Sequence, residues 1–74
     1  MVSTAQVEVV LSDIRPFLRS DGLDIEVLGM DGNSALAHLS LPSDASAGTL
    51  LTLWAGIEEG LRERIPEFHS LRLV

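Results

Sequence analysis

A small α+β domain, two helices laid on one face of a three-stranded sheet in the order α-β-β-α-β, is what this 74-residue sequence predicts. Three observations carry that expectation. Apolar residues recur at helical spacing in two separate stretches, residues 7–18 and 50–65. Between them, two short runs of strand-like pattern flank Asp31-Gly32-Asn33, a hairpin signal. Hydrophobic residues make up 46% of the chain, enough to close one core at a length near the lower limit for a domain that folds alone.

The first helix opens at Ser3-x-x-Gln6, which has the form of a capping box. Val7, Val10, Leu11, Ile14, Phe17 and Leu18 then supply one apolar stripe. Pro16 lies within it and is expected to kink the helix or tighten its last turn, because it has no N–H and its ring crowds the preceding turn. Ser20-Asp21-Gly22 is the stop signal, with Gly22 free to take positive φ.

Residues 24–30 and 34–41 read as two strands. Two registers compete. A two-residue loop at Asp31-Gly32 pairs Val27 with Leu36 and sets Ile25 beside His38. A three-residue loop over Asp31 to Asn33 pairs Ile25 with Leu39, Val27 with Ala37 and Gly29 with Ala35. The second gives one consistently apolar face and is preferred; it leaves Leu28, Met30 and Leu36 on the face away from the helices.

Pro42 to Gly48 is a small polar loop. The second helix follows, with Leu50, Leu53, Trp54, Ile57, Leu61 and Ile65 on its stripe, and ends before Pro66. Gly56 is expected to let the first helix or the sheet approach closely, whereas Gly60 has no evident role. Residues 68–74 form a short third strand. The whole chain, residues 1–74, reads as a single domain.

Several of these segments carry a more specific pattern. Ile14-Arg15-Pro16-Phe17-Leu18, Asp21-Gly22-Leu23-Asp24, Thr52-Leu53-Trp54-Ala55-Gly56-Ile57-Glu58 and Ile65-Pro66-Glu67 follow one another without a gap. Together they resemble the C-terminal iron–sulfur scaffold domain of the NifU/Nfu family, over about residues 7 to 74. That family's pattern is I-R-P-x-L, D-G-G-D, C-x-x-C-P-S-S, T-L-x-x-G-I-E and I-P-E. On that alignment Ser43 and Ser46 stand at the two cysteine positions, and the chain has no cysteine anywhere. Pro-Ser-Ser after the second position reads Ala47-Gly48-Thr49, so the loop differs beyond its two ligand positions.

The resemblance implies a domain that shares a [4Fe–4S] cluster with a second copy, each offering two thiolates. The residues here imply otherwise. Thiolate is soft and anionic near neutral pH and suits iron, while a serine hydroxyl is neutral with a far higher pKa. No metal ligand and no cofactor are therefore predicted. Ser43 and Ser46 are expected to cap the second helix, either hydroxyl accepting from a first-turn N–H. An anion held at that helix start is the other reading, although no Lys or Arg stands near it in the sequence.

Other sites are thin. His38 faces Glu26 across the preferred register as a surface pair, and no His/Asp/Glu cluster has zinc spacing. No Ser-His-Asp set or paired-carboxylate arrangement can be located, so no catalytic residue is predicted. Asp21 and Asp24 match the aspartates of the family turn and are expected to shape the turn and the start of the strand. The net charge of −6, with five arginines and no lysine, opposes nucleic-acid binding. No leader pattern or long apolar run is present, which points to a cytoplasmic chain and not to a membrane.

The functional expectation is a non-enzymatic adaptor in iron–sulfur assembly or beside a metalloenzyme. Its partner would be a metalloprotein or a cysteine-bearing scaffold, and a homodimer is also left open. The alternative is a structural interaction module that reuses the fold without iron. Leu28, Met30 and Leu36 on the outer sheet face, and Leu51 beside the serine loop, are the predicted partner contacts.

Overall fold

The computed structural model describes residues 1–74. Its elements run α1 (Thr4–Ser20), β1 (Asp24–Asp31), β2 (Ser34–Ser40), α2 (Ala47–Arg64) and β3 (Leu71–Leu73). The sheet order is β1-β2-β3, antiparallel between β1 and β2 and parallel between β2 and β3. One core of fifteen buried apolar residues lies between the helices and the sheet, with Leu11, Leu61, Leu71 and Val7 its largest fully buried side chains. The predicted α-β-β-α-β architecture is the observed one.

Helix α1 begins with the capping box read from the sequence. Ser3 Oγ accepts from the Gln6 N–H at 3.2 Å, and the Gln6 side chain accepts from the Ser3 N–H at 2.9 Å. The helix continues through Pro16 to Ser20. It then closes in a Schellman turn: Gly22 takes φ +77°, Leu23 N–H reaches Leu18 C=O at 2.8 Å and Gly22 N–H reaches Arg19 C=O at 3.1 Å. Leu18 and Leu23, the two residues that such a turn brings together, are both buried. Val7, Val10, Leu11 and Leu18 fill the core as the periodicity requires, but Phe17 is 75% exposed. It lies one residue off the Val7–Leu11–Leu18 line and outside the contact with the sheet.

The hairpin corrects the expected register in its distal half. Ile25 pairs with Leu39, Glu26 with His38 and Val27 with Ala37, as read. A β-bulge then falls between Val27 and Gly29, after which Gly29 pairs with Leu36, Met30 with Ala35 and Asp31 with Ser34. The loop is therefore two residues, Gly32-Asn33, with Gly32 at φ +60° in the first central position, as a II′ turn requires. The extra residue, Leu28, reconciles the apolar alternation of the proximal strand with this tight turn. Its consequence is that Met30 packs against the core instead of pointing outward. Leu28 stays 54% exposed, and Leu36 is half-buried.

Helix α2 ends at Ile65, whose extended backbone precedes Pro66. Two of its three glycines do not serve close packing: a Cβ at Gly56 or Gly60 would meet nothing within 4 Å. The expected close approach at Gly56 is absent, and nothing in the structure explains either glycine.

Candidate functional site

The loop before α2 is built by a turn in which Ala45 N–H donates to Pro42 C=O at 3.0 Å. Ser43, Asp44 and Ser46 are all exposed on it. Ser46, with extended backbone at φ −91° and ψ 163°, is the N-cap of α2: its Oγ accepts from Thr49 N–H at 3.1 Å and lies 3.0 Å from Thr49 Oγ1. Of the two serines, only Ser46 is the cap. Ser46→Ala is expected to lower stability by about 1 kcal/mol, read as a shift in the urea midpoint with unchanged slope.

This donor set does not suit an iron–sulfur cluster. One hydroxyl is committed to the helix start, the other is neutral, and neither is a thiolate. Elsewhere no group of three or more His, Asp or Glu side chains gathers to hold a metal ion. His38 Nδ1 lies 3.2 Å from the Val74 carbonyl on the outer face. His69 is exposed, its carbonyl taken by the Arg62 guanidinium at 2.9 and 3.0 Å.

The family aspartates shape the chain, as expected. Asp21 is the C-cap of α1. Asp24 Oδ1 accepts from the Ile25 N–H at 2.8 Å, and Arg19 approaches Oδ2 at 3.3 Å. The Ile25 N–H first, then the Arg19 and Arg15 guanidinium groups, hold the Asp24 carboxyl below the usual carboxylate range. Arg15 makes a two-pronged bond to Glu8, at 2.8 and 3.2 Å, and its Nε donates to Ile25 C=O at 3.2 Å. Arg15, of the Ile-Arg-Pro segment, thus ties α1 to the β1 edge.

One charged side chain is buried: Glu58, the last residue of the Thr52–Glu58 segment, to which the sequence assigned no separate role. Glu58 is only 7% exposed. Its Oε2 accepts from the Leu71 N–H at 2.8 Å, and its Oε1 meets Arg62 one helical turn on at 3.0 Å. Trp54 Nε1–H donates to Leu71 C=O. β3 meets β2 through Ser70 C=O and Val74 N–H, so the polar groups of Leu71 face the free edge of the sheet. Two α2 side chains one turn apart satisfy both of them, which blunts that edge against pairing with another strand. The available signal was Glu58 in the middle of the Trp54–Ile57–Leu61 stripe, with Arg62 at i+4.

Of the predicted contact residues, the structure separates rather than gathers them. Leu28 and Leu36 lie on the outer side of the sheet, Met30 in the core layer, and Leu51 on α2, 63% exposed. Leu51 does border a groove of about 410 Å³ between α2 and β3, together with Leu50, Trp54, Leu71, Arg72 and Leu73.

Residues 7–71 match the family described as NifU-like domain. Among curated proteins, the chain is 39% identical over 61 residues to NifU-like protein 2, chloroplastic, of Arabidopsis thaliana, covering 82% of this chain and 26% of that protein. It is 33% identical over 73 residues to NifU-like protein 1, chloroplastic, of Oryza sativa subsp. japonica, covering 99% of this chain and 32% of that protein. The chain thus spans between about a quarter and a third of the length of these curated relatives.

Proposed function

The chain belongs to the NifU-like domain family, and from that premise we propose that it is a non-enzymatic accessory domain of iron–sulfur cluster assembly or of a metalloenzyme, holding no cluster itself. The observation that supports this reading is Ser46: the residue at one family ligand position is spent on capping α2, in a chain without cysteine. The fold remains while the donors that define cluster chemistry are gone, so what the domain can still offer is surface. Its partner on this reading is a metalloprotein or a cysteine-bearing scaffold that carries the iron. The domain works in the cytoplasm, where such a partner's thiols stay reduced. No helix of the chain is long and apolar enough to cross a membrane.

Anaerobic incubation with ferrous iron and sulfide, followed by desalting, tests the proposal. The expected result is no visible iron–sulfur absorbance and only trace iron with the chain. Stoichiometric iron and sulfide would overturn it. One observation favours a second reading, that of a structural interaction module without iron: the apolar groove beside Leu51 needs no metal chemistry to bind a protein. Co-purification from the native host separates the two. Partners that all lack metal cofactors or assembly roles would favour the module.

A further inference from the structure

The charges of this chain are unequally matched. All five arginines are paired within it: Arg15 with Glu8 and Asp24, Arg19 with Asp24, Arg62 with Glu58, Arg64 with Asp13, and Arg72 with Asp31. Asp21, Glu26, Asp44, Glu59 and Glu63 have no such partner and are exposed. The charge left for another molecule is therefore all negative. Glu59 and Glu63 differ from the other three, because their placement weakens the helix that carries them. They lie one turn apart, where like charges repel, and Glu63 is in the last turn of α2, where the helix dipole disfavours an acid.

These two glutamates continue a line of α2 that begins with Thr52 and Gly56. Thr52 and Gly56 border a groove of about 270 Å³ between the two helices, with Ile14, Leu18, Leu53 and Ile57 as its apolar lining. Gly56 is a second local cost, since glycine inside a helix weakens it, and a Cβ there would meet nothing within 4 Å. No contact inside the chain offsets either cost. Positions that break a local rule without a return inside the fold are the ones expected to serve a contact outside it.

We propose that the α1–α2 groove, with Glu59 and Glu63 at its end, docks a basic amphipathic helix of a partner protein. Apolar side chains of that helix enter the groove, and its Lys or Arg residues meet the two glutamates. Charge complementarity selects this occupant. The free carboxylates repel nucleic acid, anionic lipid and a second copy of this acidic chain, and they attract a cationic segment. Gly56 lets the partner approach α2 with no side chain between. The sheet edges favour a helix over an added strand. At β3, Glu58 and Trp54 take both polar groups of Leu71. At β1, Asp24 Oδ1 accepts from Ile25 N–H, Arg15 Nε donates to Ile25 C=O, and the bulge at Leu28 interrupts the remainder. A seam between two helices instead accepts the ridge of a third. Exposed Phe17 stands on the α1 side of this seam, one turn beyond Asp13, which bridges to Arg64 of α2.

Titration of the isotope-labelled chain with a synthetic amphipathic helix of leucine and lysine, followed by amide NMR, tests the proposal. The same helix with glutamate for lysine is the comparison. The expected results are shifts centred on Ile14, Leu53, Gly56, Glu59 and Glu63 with the basic helix and none with the acidic one. Binding should weaken as ionic strength rises from about 0.05 M to about 0.5 M. Glu59→Gln with Glu63→Gln should weaken it more than about tenfold and flatten its salt dependence. Glu26→Gln with Asp44→Asn, which changes the net charge equally, should leave it within about twofold. Gly56→Leu moves stability and binding in opposite directions: a better helix former raises the melting temperature, while the filled groove lowers affinity more than about tenfold. Absent binding of the basic helix, equal binding of the acidic one, or shifts confined to other surfaces would overturn the site. So would unaltered binding by Gly56→Leu or the Glu59 and Glu63 pair, or an equal loss in the Glu26 and Asp44 pair. None of these readouts involves iron, so the site stands or falls apart from the accessory function proposed above.

Discussion

Glu58→Ala is expected to destabilise the domain by about 3 kcal/mol and to lower its melting temperature by roughly 10–20 °C. The substitution removes the acceptor of the buried Leu71 N–H, which no other protein group is positioned to replace. It also removes the carboxylate that faces Arg62, although Arg62 is about half exposed and keeps its bonds to the His69 carbonyl, so no buried charge is stranded. Most of the loss is therefore an unsatisfied amide at the sheet edge, plus packing beside Ile57 and Leu61. Glu58→Gln separates the contributions: the amide oxygen still accepts from Leu71, and about 1 kcal/mol is expected from the weaker bond and the lost ion pair. Hydrogen exchange at the Leu71 amide gives the local readout. It should accelerate strongly in the alanine variant and only modestly in the glutamine variant. Exchange no faster in the alanine variant than in the natural chain would show that Glu58 does not hold β3.

The prominence of Glu58 bears on how this sequence can be read. The periodic features transferred to the structure because each rests on local physics. Ser3-x-x-Gln6 forms a capping box from residues three apart, and Gly22 ends α1 because it alone there takes a left-handed backbone without strain. Ile65 before Pro66 stops α2 by the same kind of short-range constraint. The hairpin was legible only in its proximal half. Alternation of apolar residues cannot reveal a bulge, since one unpaired residue changes the face of every residue beyond it. That single residue moved Met30 into the core layer and left Leu28 outside. The bonds of Glu58 and Trp54 to Leu71 are not legible in the sequence for a different reason: their partner is the edge of a strand thirteen or more residues away, and no local pattern marks a backbone group that needs a distant cap.

The serine loop was legible in a stronger sense, because its meaning lies in residue chemistry and not in register. A hydroxyl is a much poorer donor to an iron–sulfur cluster than a thiolate, a difference that is readable without any geometry. The structure adds what replaced it. Ser46 now serves the helix, so the position has a structural use independent of metal. That use explains how α2 keeps a well-formed start without the family's residues, and it sets the stability that would be lost in restoring the ligands.

Restoring them is the second large effect. The double variant Ser43→Cys with Ser46→Cys is expected to take up iron and sulfide anaerobically where the natural sequence takes up none. Both side chains are exposed on one short turn, three residues apart, so no burial has to be undone for two thiolates to reach iron. A cluster with four thiolate ligands then requires two chains, so the expected product is one cluster per pair, seen as visible absorbance that co-elutes at twice the monomer mass. The variant should also be less stable before loading by about 1 kcal/mol, because the thiol caps α2 more weakly than the hydroxyl. The single variants should bind no cluster, since one thiolate per chain leaves half of the ligands missing. Failure of the double variant to load, with its fold intact by circular dichroism, would show that the turn at Pro42–Ala45 no longer presents its two positions toward a shared iron. In that case the loop has been rebuilt around the Ser46 cap, and iron binding cannot be recovered by exchanging two side chains.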